Sequence, residues 1–130
     1  EGHKVAVLAV ELPGLLFHDA EAGRKLLASG GNMDDPEFLK QFLVMNARRL
    51  GMAGKLLFPI PDRGLEQRLC RIVADTLIVW GAEDVLIPHV YGDAFKKAIS
   101  GAKLVKVSGA GHAVGQEKPQ AVLEAIKGHF

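Results

Sequence analysis

Length, charge and cysteine content limit what this chain can be. Its 130 residues are enough for one domain with a core, and its 16 basic and 15 acidic side chains are scattered and leave a net charge of +1, which argues against nucleic acid and membrane surfaces as partners. The single cysteine, Cys70, excludes an internal disulfide and fits a reducing compartment, so we expect a cytoplasmic protein.

The first predicted element is a strand over residues 5–10. These residues are all apolar and include β-branched valines, and a Pro-Gly pair follows soon after them. A continuous apolar run of this length is typical of a strand that is covered on both faces. It is too short to cross a membrane. With its connection it forms the first predicted segment, residues 1–18.

The second predicted segment, residues 19–74, is helical in its apolar spacing. A first helix covers residues 20–27 and is followed by the helix-breaking sequence Ser-Gly-Gly-Asn. A second helix begins after Asp35, with a proline in its first turn, and is predicted to end at Gly51. Apolar residues four and seven positions apart predict a third helix over residues 62–73.

The third predicted segment, residues 75–130, alternates strands with helices. An apolar strand ends at Gly81, a helix follows Pro88, a second strand covers residues 103–107, and a last helix starts near Pro119. This alternation predicts an α/β fold with a parallel sheet and right-handed crossovers.

Two polar residues follow the ends of these two strands. Asp84 closes the sequence Gly-Ala-Glu-Asp, and His112 closes the sequence Ser-Gly-Ala-Gly-His. An open α/β sheet gathers its ligand and catalytic groups at the carboxyl ends of its strands. Alone, Asp84 could be a helix cap and His112 a loop imidazole bound to a backbone carbonyl, but together they favour a catalytic acid and base.

This pattern resembles the end of an α/β-hydrolase. The resemblance rests on a strand, Gly-x-x-Asp, an apolar pair and a proline, a helix, a strand, Gly-x-Gly-His, and then Glu117 and Pro119 before the last helix. It implies that Asp84 orients and supports His112, which takes a proton from a nucleophile. It also implies a partial α/β-hydrolase fold with three parallel strands, flanking helices and a helical cap inserted after the first strand.

The nucleophile of that family is missing from the sequence. There is no Gly-x-Ser-x-Gly elbow, and Ser29, Ser100 and Ser108 lack the strand and glycines that expose an elbow serine. Cys70 is more typical of a small hydrophobic residue in a helix than of a catalytic thiol. The remaining histidines have no metal-binding spacing, and the chemistry that the family implies needs no cofactor.

The sequence therefore predicts the C-terminal portion of an esterase-like serine hydrolase, which supplies Asp84 and His112 but is inactive alone. Joined to a nucleophile-bearing half, it would act on a small molecule, through an ester, thioester, amide or carbon–carbon bond. Two alternatives stay open: a non-catalytic interaction or oligomerisation domain derived from a hydrolase, and a small complete enzyme with an unrecognised nucleophile. Because residues 5–10 would form an exposed sheet edge, we expect a homodimer through this strand or the cap.

Overall fold

A computed structural model describes residues 11–28, 30–59 and 61–130. The predicted first strand, residues 5–10, lies outside these ranges. The elements in chain order are α1 (residues 11–16), α2 (Ala20–Leu27), α3 (Pro36–Leu57), α4 (Leu65–Leu69), β1 (Leu77–Gly81), α5 (Val90–Ala98), β2 (Lys103–Val107), α6 (Val114–Glu117) and α7 (Pro119–His129).

The two described strands form a parallel sheet. Leu77 lies opposite Lys103 and the register continues to Gly81 opposite Val107, with α5 as the crossover between the strands. This arrangement confirms the parallel α/β architecture predicted for the C-terminal part of the chain. The sheet has two strands within the described ranges, and a third strand stays a prediction.

The core lies beneath α5. Leu69, Ile99 and Ala102 are buried together, and Ile78 and Phe95 pack against them. Leu69 belongs to α4, so this short helix is attached to the sheet by its one buried residue. Full burial of a leucine or isoleucine side chain is worth about 1.5–3 kcal/mol, so Leu69 and Ile99 each contribute substantially to the stability of this unit.

The helix starts follow the capping signals in the sequence. The Asp19 side chain accepts hydrogen bonds from the amides of Glu21 and Ala22, and the Asp35 side chain accepts one from the amide of Glu37. These contacts satisfy amides that a helix leaves unpaired in its first turn. The predicted bounds of α2 and the predicted start of α3 are confirmed.

The predicted bounds of two helices are wrong. The helix α3 passes through Gly51 and continues to Leu57, because a glycine inside a helix costs only about 1 kcal/mol and good helix formers follow it. It ends before Pro59, whose ring disfavours helical backbone at Phe58. The helix predicted over residues 62–73 is confined to α4, since Gly64 before it has a left-handed φ of 66°.

Two further features complete the fold. A short helix that the sequence did not predict, α6, follows His112. None of the described helices combines the length and apolarity needed to cross a membrane.

Candidate active site

The fold brings Asp84 and His112 together. Oδ2 of Asp84 lies 2.9 Å from Nδ1 of His112, within the hydrogen-bonding distance that the sequence pattern predicted. The Asp84 side chain is 3% exposed, whereas the His112 side chain is 36% exposed. The acid is therefore enclosed by protein while the imidazole reaches solvent.

The Asp84 carboxylate is held by its own loop as well. Its Oδ1 accepts hydrogen bonds from the amides of Leu86 (3.0 Å) and Ile87 (2.9 Å). Asp84 thus binds amides of its own loop and contacts His112 at the same time. These amides precede the first turn of α5, so the alternative interpretation of Asp84 as a cap of that helix is wrong.

The contact between Asp84 and His112 favours one tautomer of the neutral imidazole ring. An ionised carboxylate can only accept hydrogen bonds, so the short contact to Asp84 places the imidazole proton on Nδ1 of His112. The other ring nitrogen, Nε2, is then an unprotonated acceptor. Within the described ranges no protein group hydrogen-bonds to Nε2, so it is available to take a proton.

A second carboxylate, Glu83, joins the two loops that carry the pair. We call residues 82–89 the acid loop and residues 108–113 the histidine loop. Oε2 of Glu83 accepts hydrogen bonds from the amides of Gly109 (2.8 Å) and Ala110 (3.2 Å), and the Glu83 amide donates to the Ala110 carbonyl (3.1 Å). These reciprocal contacts fix the position of the histidine loop relative to the acid loop.

A third carboxylate, Glu117, ties the histidine loop to the start of the described chain. Its Oε2 accepts a hydrogen bond from the Gly111 amide (2.6 Å), and its Oε1 accepts from the amides of His18 (2.7 Å) and Asp19 (3.3 Å). Sequence reasoning included Glu117 in the motif but gave it no role, and it gave Glu83 none.

Glycines allow these segments to approach closely. A Cβ on Gly81 would lie 2.0 Å from the carbonyl oxygen of Gly111, so no other residue fits there without a backbone shift. A Cβ on Gly111 would lie 2.8 Å from the His18 amide nitrogen. Gly109 has a φ of 70°, the left-handed conformation that a tight bend before His112 requires.

The space beside the pair is small. A cavity of about 170 Å³ is lined by Trp80, Asp84, Ile87, His112 and other neighbours, while ligand sites usually measure about 300–1,000 Å³. A second cavity, of about 370 Å³, lies on another side of Asp84 and is lined by Phe17, His18 and Glu83 among others.

The part of the chain that the structure describes supplies neither a nucleophile nor a metal site here. No serine or cysteine side chain in it hydrogen-bonds to His112, and it contains no cluster of three or more potential metal ligands. Cys70 is exposed and directly follows α4, so its prediction as a small hydrophobic residue in a helix is wrong. Ser29 lies outside the described ranges.

No protein-family model and no curated protein matches the sequence. The structure is similar to solved α/β-hydrolases. It matches a bacterial membrane phospholipase A, described as a virulence factor, with a TM-score of 0.62 and 18% identity, over 95% of this chain and 37% of that one.

Two further structures show the same likeness. For 2-hydroxy-6-oxo-6-phenylhexa-2,4-dienoate hydrolase from Rhodococcus sp. strain RHA1, the TM-score is 0.59 and the identity 23%, over 96% of this chain and 44% of that one. For Est816, an N-acyl homoserine lactone degrading enzyme, the values are 0.54 and 22%, over 86% of this chain and 48% of that one. The chain spans less than half the length of each structure.

Proposed function

We propose that this chain, which has part of the α/β-hydrolase fold, is the C-terminal portion of an esterase-like hydrolase and supplies its acid and base. The observation that carries the proposal is the 2.9 Å contact between a buried Asp84 and a solvent-reaching His112. In this proposal residues 5–10 form a third parallel strand, and residues 19–74 form the cap.

The proposed mechanism uses the two nitrogens of His112 differently. Nε2 takes the proton from a nucleophile that another segment supplies, and the same nitrogen later gives the proton to the leaving group. Asp84 stays ionised, holds Nδ1–H and stabilises the imidazolium that forms between these two steps. Its burial strengthens that electrostatic support, since little water screens the pair.

The substrate in this proposal is a small molecule with an ester or related bond, and the mechanism uses no cofactor. Residues 1–130 alone should not hydrolyse this substrate, because they lack the nucleophile, and removing the nucleophile of a triad lowers the rate by a factor of about 10⁶. One oxyanion-hole amide also belongs to the residue after the nucleophile.

Nitrogen NMR of the imidazole rings tests the acid–base assignment. We expect His112 to be protonated at Nδ1 in the neutral ring, and we expect Asp84→Asn to shift the proton toward Nε2. Asp93→Asn is the matched control, since Asp93 is an acid that contacts Lys106 away from the site. A neutral His112 ring protonated mainly at Nε2 in the unmodified chain would contradict the proposal.

A p-nitrophenyl ester assay tests the predicted inactivity. We expect slow hydrolysis that rises linearly with ester concentration and is the same after Asp84→Asn. Saturable turnover that disappears in His112→Ala would instead identify a complete enzyme with an unrecognised nucleophile.

A second candidate function, self-association, is favoured by the end of α3. This helix contains no buried residue, and its C-terminal half, with Phe58 directly after it, exposes apolar side chains on more than one side: Leu50, Met52, Leu56, Leu57 and Phe58. A helix that is apolar on several sides is typical of a buried helix. Each square ångström of this area contributes about 25 cal/mol when another surface covers it.

On this proposal two copies of the chain form a two-fold dimer in which the α3 ends cover each other. Light scattering should show a dimer at high micromolar concentration, and Leu56→Lys should shift it to the monomer. Val73→Lys is the matched control, because Val73 is 96% exposed but lies outside α3. A monomer at all concentrations, or equal effects of the two variants, would exclude a dimer through α3.

A further inference from the structure

A cavity lies between α2 and α3, apart from the Asp84–His112 pair. Its volume is about 760 Å³, within the range of about 300–1,000 Å³ that is usual for ligand sites. Leu26 of α2 and Phe38, Phe42 and Met45 of α3 line it. The Phe38 and Phe42 rings are stacked with their centroids 6.3 Å apart, so they form a continuous apolar wall.

The loop after α2 closes this cavity against Phe38. A Cβ on Gly31 would lie 2.0 Å from Cζ of Phe38, so the ring packs directly on the loop backbone. The amide of Gly31 donates to the carbonyl of Ala28 (2.9 Å), which fastens the loop to the end of α2. These contacts fix Phe38 where it faces the cavity.

The charge of the cavity is unbalanced. Among the twelve described residues that line it, Arg49 is the only one that is charged at neutral pH, and none is an acid. The guanidinium of Arg49 takes part in none of the ion pairs or side-chain hydrogen bonds found within the described ranges. The amide nitrogen of Asn46, by contrast, already donates to the Phe42 carbonyl (2.9 Å).

We infer that this cavity binds an organic monocarboxylate with an apolar chain. The chain lies on Phe38, Phe42 and Met45, and the carboxylate pairs with Arg49, whose planar guanidinium can donate two parallel hydrogen bonds. A cationic ligand is disfavoured because none of the described lining residues is an acid. A neutral ligand would gain nothing from the charge of Arg49, which is exposed to solvent.

The position of the cavity links it to the proposed reaction. Gln116 also lines it, and Gln116 belongs to α6, the helical turn that follows the histidine loop. The identification of the bound carboxylate as part of the substrate rests on the proposed function. The binding of the carboxylate does not.

A pair of ligands that differ in charge tests this inference. Octanoate and octanamide have the same chain, and their binding to the whole chain can be followed by backbone amide NMR titration. We expect octanoate to bind about five-fold more tightly, as a charge-assisted hydrogen bond at a solvent-accessible site provides. The shifted amides should lie in α2 and α3.

Three variants locate the site. Arg49→Gln should remove the preference for octanoate, whereas Arg48→Gln should keep it, because Arg48 is an exposed neighbour in the same helix that does not line the cavity. Phe42→Ala should weaken both ligands and keep the preference. Equal affinity for the two ligands, no binding of either, or equal effects of the two arginine variants would each overturn the inference.

These measurements separate the binding site from the proposed catalysis. Octanoate preference that depends on Arg49, together with a His112 ring protonated at Nε2, would leave the carboxylate site in place and remove the proposed hydrolase role. Equal affinity for octanoate and octanamide, together with a His112 ring protonated at Nδ1, would keep the acid–base assignment and remove the carboxylate site.

Discussion

The C-terminal unit, from β1 to α7, and the helical segment, from α1 to α3, are stabilised differently. In the C-terminal unit carboxylates bind the backbone amides of neighbouring loops. In the helical segment the longest helix, α3, has 22 residues and none of them is buried. Asp84, Glu83 and Glu117 each accept hydrogen bonds from two or more backbone amides. The helical segment depends instead on local caps such as Asp35.

The two regions therefore differ in what fixes the positions of their side chains. Contacts within the C-terminal unit fix them there, whereas the exposed end of α3 would need another surface to cover it. The relative position of Asp84 and His112 is fixed by contacts within the unit and by one link to residues 16–19. The exposed apolar end of α3 has no such contacts. The contact between Asp84 and His112 is therefore built into this chain, and the helical segment is the part whose environment a partner or a further segment can change.

Glycine substitutions should show the largest contrast between the two parts. Gly81→Ala places a Cβ 2.0 Å from the Gly111 carbonyl oxygen and should destabilise the chain by about 3 kcal/mol. Gly51→Ala meets open space inside α3 and should stabilise it by about 0.5–1 kcal/mol. Urea denaturation measures both, and equal effects would refute the contrast.

Glu117→Ala should have the next largest effect, because three backbone amides lose a charged acceptor. We expect a loss of about 2 kcal/mol in the free energy of unfolding, with faster hydrogen exchange at the Gly111 and His18 amides. The control is Glu124→Ala, an exposed acid on α7. Unchanged exchange at these two amides would show that the link does not hold the histidine loop.

Asp35→Ala should cost less and act only locally. Loss of a helix cap typically costs about 1 kcal/mol, and here it should unwind the first turn of α3. Chemical shifts of Asp84 and His112 should stay unchanged, because α3 does not contact either residue through a described hydrogen bond. Shifts at His112 would mean that the two parts are more tightly coupled than their contacts indicate.

The smallest expected effect is a change in how the stability of the fold depends on pH. The hydrogen bond from Lys106 (Nζ to Oδ2, 2.7 Å), together with its charge, lowers the pKa of Asp93 below its ordinary value. A carboxyl with a lower pKa in the folded chain stabilises the fold above its unfolded pKa of about 4, and this contribution is lost as the pH falls through the folded value.

Lys106→Met should therefore destabilise the chain slightly at pH 7, and this difference should shrink as the pH falls below about 4. Lys103→Met is the control, since Lys103 is an exposed lysine on the same strand without an ion pair in the described ranges. A difference that stays constant with pH would show that the pair does not contribute.

A feature of the structure could be predicted from the sequence when the residues that produce it lie close together along the chain. The caps at Asp19 and Asp35 act within one helical turn, and the strand before Asp84 is a local apolar run, so these were predictable. The end of α3 was not, because Gly51 alone does not overcome the helix formers after it. The roles of Glu83 and Glu117 depend on partners far along the chain, which no local pattern shows.

The contact between Glu117 and His18 joins residues 99 positions apart, whereas the acid and histidine loops are joined across 26 to 28 positions. Closing a longer loop costs more chain entropy, and contacts of large sequence separation slow folding. The strands and the Asp84–His112 contact should therefore form first, and residues 16–19 should dock on Glu117 afterwards. During synthesis the chain would leave this link open until its last helix has begun to emerge, and the order in which the site becomes rigid follows from the position of one carboxylate.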